Sequence, residues 1–496
     1  MLMSRRSVLL AFLLLIACGA PETPVPPSTA PAATRPNIVV VLVDDMRFDE
    51  FGAGGHPYLE TPNIDRLARE GALFTNAFHA VPLCSPNRAT LLTGQYPSRH
   101  GIIDNVARNI ASHHLETFNI PLQIAGYRTA FLGKWHMGND PTPRPGWDYW
   151  VAMPGQGRSI DPELFEDGAL HTVPGYTTDL LTDRVVRFIE REHATPFLVY
   201  LAHKAVHPDI VQRDDGSVDT ESDRGYVPAK RDEGRYAGRT FPRRQERAEV
   251  AQDLEGKPVI RRALQRLPAI PDTGTGEHQH PSTPFMGEET IRRRAEMLAG
   301  VDASLGRIIS TLDSLGILDN TVIVFSSDNG FFFGEHGLTT ERRLPYEESI
   351  RNPFLVRYPP RVPAGSRPAG LALTVDLAPT LLELAGVPIS ASIQGRSLVP
   401  LFNATPTNWR QSVLVEFYTN DQPFPHLRDV DYRAVRTDRY KYIHWVKFPD
   451  EDELYDLDAD SLERRNVARD PAMAEVRDEL RAELRRLVVE AVGIDR

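Results

Sequence analysis

From Asn37 onward the chain alternates short unbroken apolar runs with longer segments whose apolar residues recur at helical spacing. The runs are Ile38 to Val43, Thr129 to Leu132, Phe197 to Leu201 and Thr321 to Phe325. They are short and rich in β-branched residues, which predicts strands buried on both faces of a parallel sheet. Asn63 to Glu70, Thr178 to Glu192 and Thr290 to Leu315 carry the helical period between them. This alternation predicts an α/β domain with helices on both faces of a large, mostly parallel sheet. Near residue 400 the pattern changes. Val413 to Tyr418, Tyr432 to Thr437 and Tyr440 to Trp445 alternate as antiparallel strands do, with Thr437-Asp438-Arg439 as a connecting turn. Pro471 to Val492 reads as an amphipathic helix. The expected organisation is a large domain over 37–405 and a smaller C-terminal α+β subdomain with an antiparallel sheet over 406–496. Residues 209–286 interrupt the rhythm: they are polar, rich in Arg, Asp, Gly and Pro, and lack sustained period. They read as a solvated insertion or as one that shapes a binding site.

The first residues do not belong to this pattern. Arg5 and Arg6 precede an apolar run from Val8 to Ala17. A membrane-spanning helix needs about 20 residues, so residues 1–17 read as an export signal peptide. Leu15-Ile16-Ala17-Cys18 resembles a bacterial lipobox, which implies cleavage before Cys18 and lipid on its sulfur. Ser4 to Leu9 resembles a twin-arginine signal, and the export route stays open between the two machineries. Residues 18–36, rich in Pro, Thr and Ala, read as an extended linker. The expected location is the periplasm or cell surface, with the membrane reached only through that N-terminal lipid.

Composition narrows the chemistry. The 496 residues carry a net charge of -11, which speaks against nucleic acid as a partner. There are two cysteines. With Cys18 claimed by the lipobox, Cys84 is a lone thiol in an exported protein, and it needs a chemical explanation.

Open parallel sheets bind ligands beyond the carboxyl ends of their strands. Asp44 and Asp45 follow the first run, Lys134 and His136 the second, His203 and His207 the third, and Asp328 and Asn329 the fourth. Asp44, Asp45, Asp328 and Asn329 are hard oxygen donors, suited to calcium, with magnesium as the alternative, rather than to zinc.

Cys84 lies in Pro82-Leu83-Cys84-Ser85-Pro86-Asn87-Arg88, followed by Ala89-Thr90-Leu91-Leu92-Thr93-Gly94. This resembles the signature of the type I, formylglycine-dependent sulfatases. Gly126 to His136 is similar to that family's second signature, and the resemblance runs from Asn37 to about Ala468. It implies an alkaline-phosphatase-like sandwich and a sulfuric ester hydrolase. It also implies that a formylglycine-generating enzyme oxidises Cys84 to formylglycine (3-oxoalanine). The substrate expected is a sulfated carbohydrate or an aryl sulfate. A hydrated aldehyde carries out covalent catalysis with a built-in release step. By the same resemblance Asp44, Asp45, Asp328, Asn329 and the modified Cys84 bind calcium. Arg88 orients the formylglycine, Lys134 bridges it to sulfate, His136 is the base for release, and His207 protonates the leaving oxygen. His203 is a further substrate-side candidate.

The chain departs from the family in three places. Asn87 stands where a small residue is usual, and Leu132 where Ile, Val, Ala or Ser is usual. The stretch Gly334-Glu335-His336-Gly337-Leu338 normally leads to a sulfate-binding Lys. Here Thr339 to Tyr346 contains none, and Arg342 takes its place, with Arg343 the alternative. Two other readings compete: a phosphonate or phosphodiester hydrolase of the same superfamily, and a surface lipoprotein that binds sulfated glycans without cleaving them. Asn329 stands where the phosphonate hydrolases tend to have His, and no residue of the catalytic set is lost. Residues 139–176, 209–286 and 419–430 are the expected specificity loops.

Overall fold

The computed structural model describes residues 35–192, 194–222, 224–242, 244, 247–266, 287–338, 341–419 and 425–493. The export signal, Cys18, the linker up to residue 34, residues 267–286 of the insertion and Thr339-Thr340 lie outside the described residues.

The chain from Arg35 on is one compact unit. Its centre is a nine-stranded sheet: β1 (Asn37–Val43), β2 (Ala72–Phe74), β3 (Arg128–Lys134), β4 (Tyr149–Met153), β5 (Glu163–Glu166), β6 (Ala169–Thr172), β7 (Phe197–Ala202), β8 (Thr321–Ser327) and β9 (Phe354–Arg357). Their order across the sheet is β2-β9-β8-β1-β7-β3-β4-β5-β6. The five from β8 to β4 are parallel, and the strands outside them are antiparallel to their inner neighbours.

The unbroken apolar runs are explained by burial on both sides. In β1, Ile38, Val40 and Leu42 face one core, while Val39, Val41 and Val43 face another. The first core is closed by helix α1 (Cys84–Thr93) and α4 (Leu377–Leu384). The second is closed by α2 (Thr177–Glu192) and the long helix α3 (Glu288–Ser314). Register sets the four site-bearing strands level: Val43 lies opposite Ser327, Leu42 opposite Ala202, and Gly133 opposite Ala202. Their carboxyl ends therefore open onto one edge.

The second sheet is antiparallel, in the order β10 (Ser412–Phe417), β11 (Tyr432–Thr437), β12 (Tyr440–Trp445) and β13 (Glu453–Asp456). Leu414, Val435, Tyr442 and Leu454 pack on Leu480 and Leu484 of α5 (Ala474–Val492). The alternate residues Val413, Val415 and Tyr432 pack on Phe78, Ala80 and Leu83, the segment that leads into Cys84. The insertion contains more structure than its composition suggests: a two-stranded ribbon of Val211–Gln212 with Val218–Asp219, and helical turns at Arg247–Asp253 and Pro258–Gln265.

Candidate active site

The chain leaves β1 at Asp44, whose peptide N–H donates to the Ala205 carbonyl (2.9 Å) and whose carbonyl accepts from Val206 N (2.8 Å). This ties the first acid to the loop that carries His207. Asp45 then takes a left-handed backbone (φ 58°), a conformation that Asp tolerates better than most residues. Its N–H donates to Asp328 Oδ1 at 3.0 Å, so the turns after β1 and β8 are locked together. From outside, Arg294 of α3 donates to the Asp45 carbonyl at 2.6 Å and to Glu50 Oε2 at 3.0 Å.

Cys84 opens α1 and is fully buried, with Sγ 3.8 Å from Asp45 Oδ1. Donor atoms of Asp44, Asp45, Cys84 and Asp328 all lie within 4.8 Å of one another. Asn329 Nδ2 donates to Asp45 Oδ1 at 2.7 Å. Asp44 Oδ1 and Asn329 Oδ1 are buried and accept no hydrogen bond from the described residues. Buried oxygens left without donors are costly, and an oxygen-coordinated divalent cation would satisfy them. The donor set thus fits a hard cation. Crowding shows in the titration of the acids. Burial and then the Asp44 charge push Asp328 up to about 7. Burial would raise Asp44 too, but Lys134, His207 and Arg88 outweigh it and hold that carboxyl well below the usual range. Burial pushes the Cys84 thiol far up, so the unmodified side chain is a neutral thiol and a poor nucleophile.

Three cations face this cluster. Arg88, one helical turn after Cys84, places Nε and Nη2 on Asp328 Oδ2 at 2.8 and 2.7 Å, and Nη1 on the Lys134 carbonyl at 2.5 Å. Lys134, the last residue of β3, pairs with the Asp44 carboxylate. Arg342 Nη1 lies 3.1 Å from Asp45 Oδ2, and its Nη2 lies 3.3 Å from His207 Nε2. Arg343 instead turns to Glu341 Oε1 at 2.8 Å, so of the two arginines Arg342 reaches the site. His207 Nδ1 is 2.8 Å from the Pro208 carbonyl, which can only accept. The proton therefore sits on Nδ1, and Nε2 presents its lone pair to Arg342. Burial, then Lys134, holds this imidazole well below its ordinary pKa.

The sheet edge thus brings together Asp44, Asp45, Cys84, Arg88, Lys134, His207, Asp328, Asn329 and Arg342. His136 joins them at φ 63°, its ring in the field of Lys134, Arg88 and Asp44. His203 does not join: its Nε2 lies 3.4 Å from Ser304 Oγ of α3. The reason is strand parity. Val199 and Leu201 face the α2–α3 core, and His203 continues their side.

Three contributors escaped the sequence reading. Asn87 donates to the Asp328 carbonyl (2.6 Å) and to His79 Nδ1 (3.0 Å), so the departure from a small residue steadies the turn that carries Asp328. Arg294 occupies a core-facing position between Ile291 and Leu298, and a charge on an apolar helix face was a readable signal. Gln212, in the insertion, contacts His136, and no local pattern marks it.

Comparison with known proteins agrees with this geometry. The family described as Sulfatase matches residues 36–387, and a second, described as N-sulphoglucosamine sulphohydrolase, C-terminal, matches 334–490. An N-acetylglucosamine-6-O-sulfatase of Bacteroides thetaiotaomicron is 31% identical, over 92% of this chain and 86% of the relative. An ulvan-active sulfatase of Formosa agariphila is 27% identical, over 92% and 82%. A solved structure in complex with its substrate D-glucosamine-2-N,6-O-disulfate superposes with a TM-score of 0.79 at 30% identity, over 93% of this chain and 99% of that one. The matched length, the fold and the retained cluster of acids and cations at the strand ends agree, and the chain belongs to the sulfatase family of sulfuric ester hydrolases.

Proposed function

We propose that this sulfatase hydrolyses sulfate esters of a sulfated carbohydrate, with residue 84 as formylglycine and a calcium ion held by Asp44, Asp45, Asp328 and Asn329. The observation that carries this reading is a buried Cys84 set between three carboxylates and three cations at the strand ends. When bound, calcium would polarise sulfate oxygens and balance the acids, and the hydrated aldehyde would supply the oxygen nucleophile.

The remaining work falls to the side chains. Arg88 holds Asp328 and the Lys134 carbonyl, which fixes the start of α1 against the end of β3. Lys134 and Arg342 offer donors to sulfate oxygens, where charge builds in the transition state. An anion beside Arg342 supplies the counter-charge that favours a proton on His207 Nε2, and that proton goes to the leaving oxygen. His136 takes the proton that releases sulfate.

The names of the relatives favour glucosamine 6-sulfate chemistry over aryl sulfates as the natural substrate. Export and a lipid on Cys18 fit the N-terminal sequence and would place the enzyme at a membrane surface, where polymeric substrates are met. The test is the mass of the peptide carrying residue 84, purified from a host with a formylglycine-generating enzyme, followed by sulfate release from glucosamine 6-sulfate and an aryl sulfate. An aldehyde or its hydrate with release from the sugar supports the reading. An unmodified thiol, while a control sulfatase is converted in the same cells, sinks it.

A further inference from the structure

The insertion reaches the reaction centre at one point. Gln212 Oε1 lies 2.7 Å from His136 Nε2 and accepts from Gln156 Nε2 at 2.8 Å, while Gln212 Nε2 donates to the Gly216 carbonyl at 2.7 Å. The assignment of the amide follows from that carbonyl. A backbone oxygen only accepts, so the Gln212 atom facing it is the NH2 group, and the atom facing His136 is the oxygen. His136 therefore donates through Nε2–H. The Gly216 carbonyl is itself fixed, because the ribbon turns with Gly216 at φ 82°, its N–H on the Arg213 carbonyl (2.9 Å), and Arg213 N–H on the Ser217 carbonyl (2.8 Å).

A neutral imidazole with its proton on Nε2 carries its lone pair on Nδ1. His136 Nδ1 is buried and has no hydrogen-bond partner among the described residues. The charged groups around the ring are Lys134, Arg88 and Asp44, all from the active site. A buried base with an unpartnered lone pair is arranged to take a proton from something that arrives with the substrate.

We propose that Gln212 is a positioning residue that locks His136 in the Nε2–H tautomer, so that Nδ1 is the atom that accepts the proton during turnover. Gln156 supports it by occupying the second lone pair of the same oxygen. The inference rests on the reading of this site as a sulfatase centre in which His136 is the base. It gives the ribbon at the start of the insertion a part in catalysis rather than in solubility.

The test is long-range 1H–15N correlation of histidine-labelled full-length protein, with His136 assigned by its loss in His136→Asn, alongside kinetics of sulfate release. Wild type should show His136 protonated at Nε2. Gln212→Leu keeps the bulk and removes the acceptor. It should give a mixed or Nδ1–H tautomer and lower kcat about 10²-fold, the scale of one general base, with KM little changed. Gln212→Glu keeps an acceptor oxygen and should retain the tautomer and most of kcat. A purely structural role would not separate Leu from Glu in this way. The proposal is overturned if wild-type His136 carries its proton on Nδ1, or if Gln212→Leu folds with its tautomer and kcat unchanged. Should neither variant fold, the wild-type spectrum still decides. Failure of the sulfatase reading would appear instead as no sulfate release by wild type, a result on which the tautomer measurement does not depend.

Discussion

Replacing Arg294 by Met should damage both stability and the proposed calcium site, although Arg294 is not among its ligands. Its guanidinium is fully buried, 3.0 Å from Glu50 Oε2 and 2.6 Å from the Asp45 carbonyl, and lies 4.3 Å over the Phe331 ring. Methionine keeps the stem packed but leaves the buried Glu50 carboxylate without its Arg294 partner. Breaking one side of a buried ion pair costs about 3–5 kcal/mol. An unfolding entropy of about 2.1 cal/mol/K per residue gives roughly 1 kcal/mol per degree for a unit of this size, so Tm should fall by about 3–5 °C. Adding Glu50→Gln removes the stranded charge and should restore about 1–2 kcal/mol, a coupling that a double-mutant cycle reads directly. Because Asp45 loses the contact that holds its carbonyl, calcium affinity should fall as well. Scanning calorimetry and calcium titration of wild type, both single variants and the double variant give all four numbers. If Arg294→Met melted within about one degree of wild type, or Glu50→Gln gave no recovery on top of it, the clamp would not be what fixes Asp45.

Chelation should abolish sulfate release and, for a site filled at about 100 times its Kd, remove about 2.7 kcal/mol of stability; calcium should restore both, as followed by activity and calorimetry. Arg342→Lys should lower kcat/KM about 10²-fold, since an ammonium cannot serve Asp45, His207 and sulfate from one fork. Arg343→Lys, on Glu341, should change it little, and steady-state kinetics on the two variants separates them. His79, fully buried and accepting from Asn87 at 3.0 Å, is pushed by burial down to about 3 from 6.5. Its folded value lies below its unfolded one, so its contribution is fully present above about pH 6.5 and is lost as pH falls toward about 3. At pH 5 the loss is about 2 kcal/mol, and His79→Gln should shrink the difference in urea stability between pH 7.5 and pH 5 by about that much.

Much of this was legible because burial on two faces leaves a simple trace. Ile38 to Val43 has no polar residue, since both faces of β1 are core, and the polar residues just past such a run are the ones the sheet edge displays. The run at Thr129 understated β3, which continues through Gly133 and Lys134. Pairing of Gly133 with Ala202 and of Lys134 with Met153 holds those residues in the strand although they are not apolar. Short flanking strands such as Ala72–Phe74 and Phe354–Arg357 have too few residues to show a period. Cys84–Thr93 hides its helical pattern because every residue in it is buried. His203 and His207 look alike in sequence and share one parity; His203 keeps the side of Val199 and Leu201, whereas the turn that Asp44 ties to Ala205 and Val206 redirects His207 into the site, and the sequence does not show that turn. Gln212 acts through contacts with His136 and Gln156, both far from it in the chain, and composition is silent on that.

The packing of the C-terminal sheet on the segment that leads into Cys84 sets a schedule for the molecule. Glu416 N–H donates to the Ala80 carbonyl at 2.9 Å, and Ser98 N–H donates to Glu416 Oε1 at 2.8 Å, so β10 clasps the chain on both sides of α1. Those strands follow Cys84 far along the chain, and they pack on the segment that leads into a residue the folded protein buries completely. A protein partner that must read Cys84 as an extended peptide has access only while the C-terminal part is absent or undocked. The C-terminal sheet is thus a clock as well as a wall: its docking would end the interval in which another macromolecule reaches the chain around residue 84.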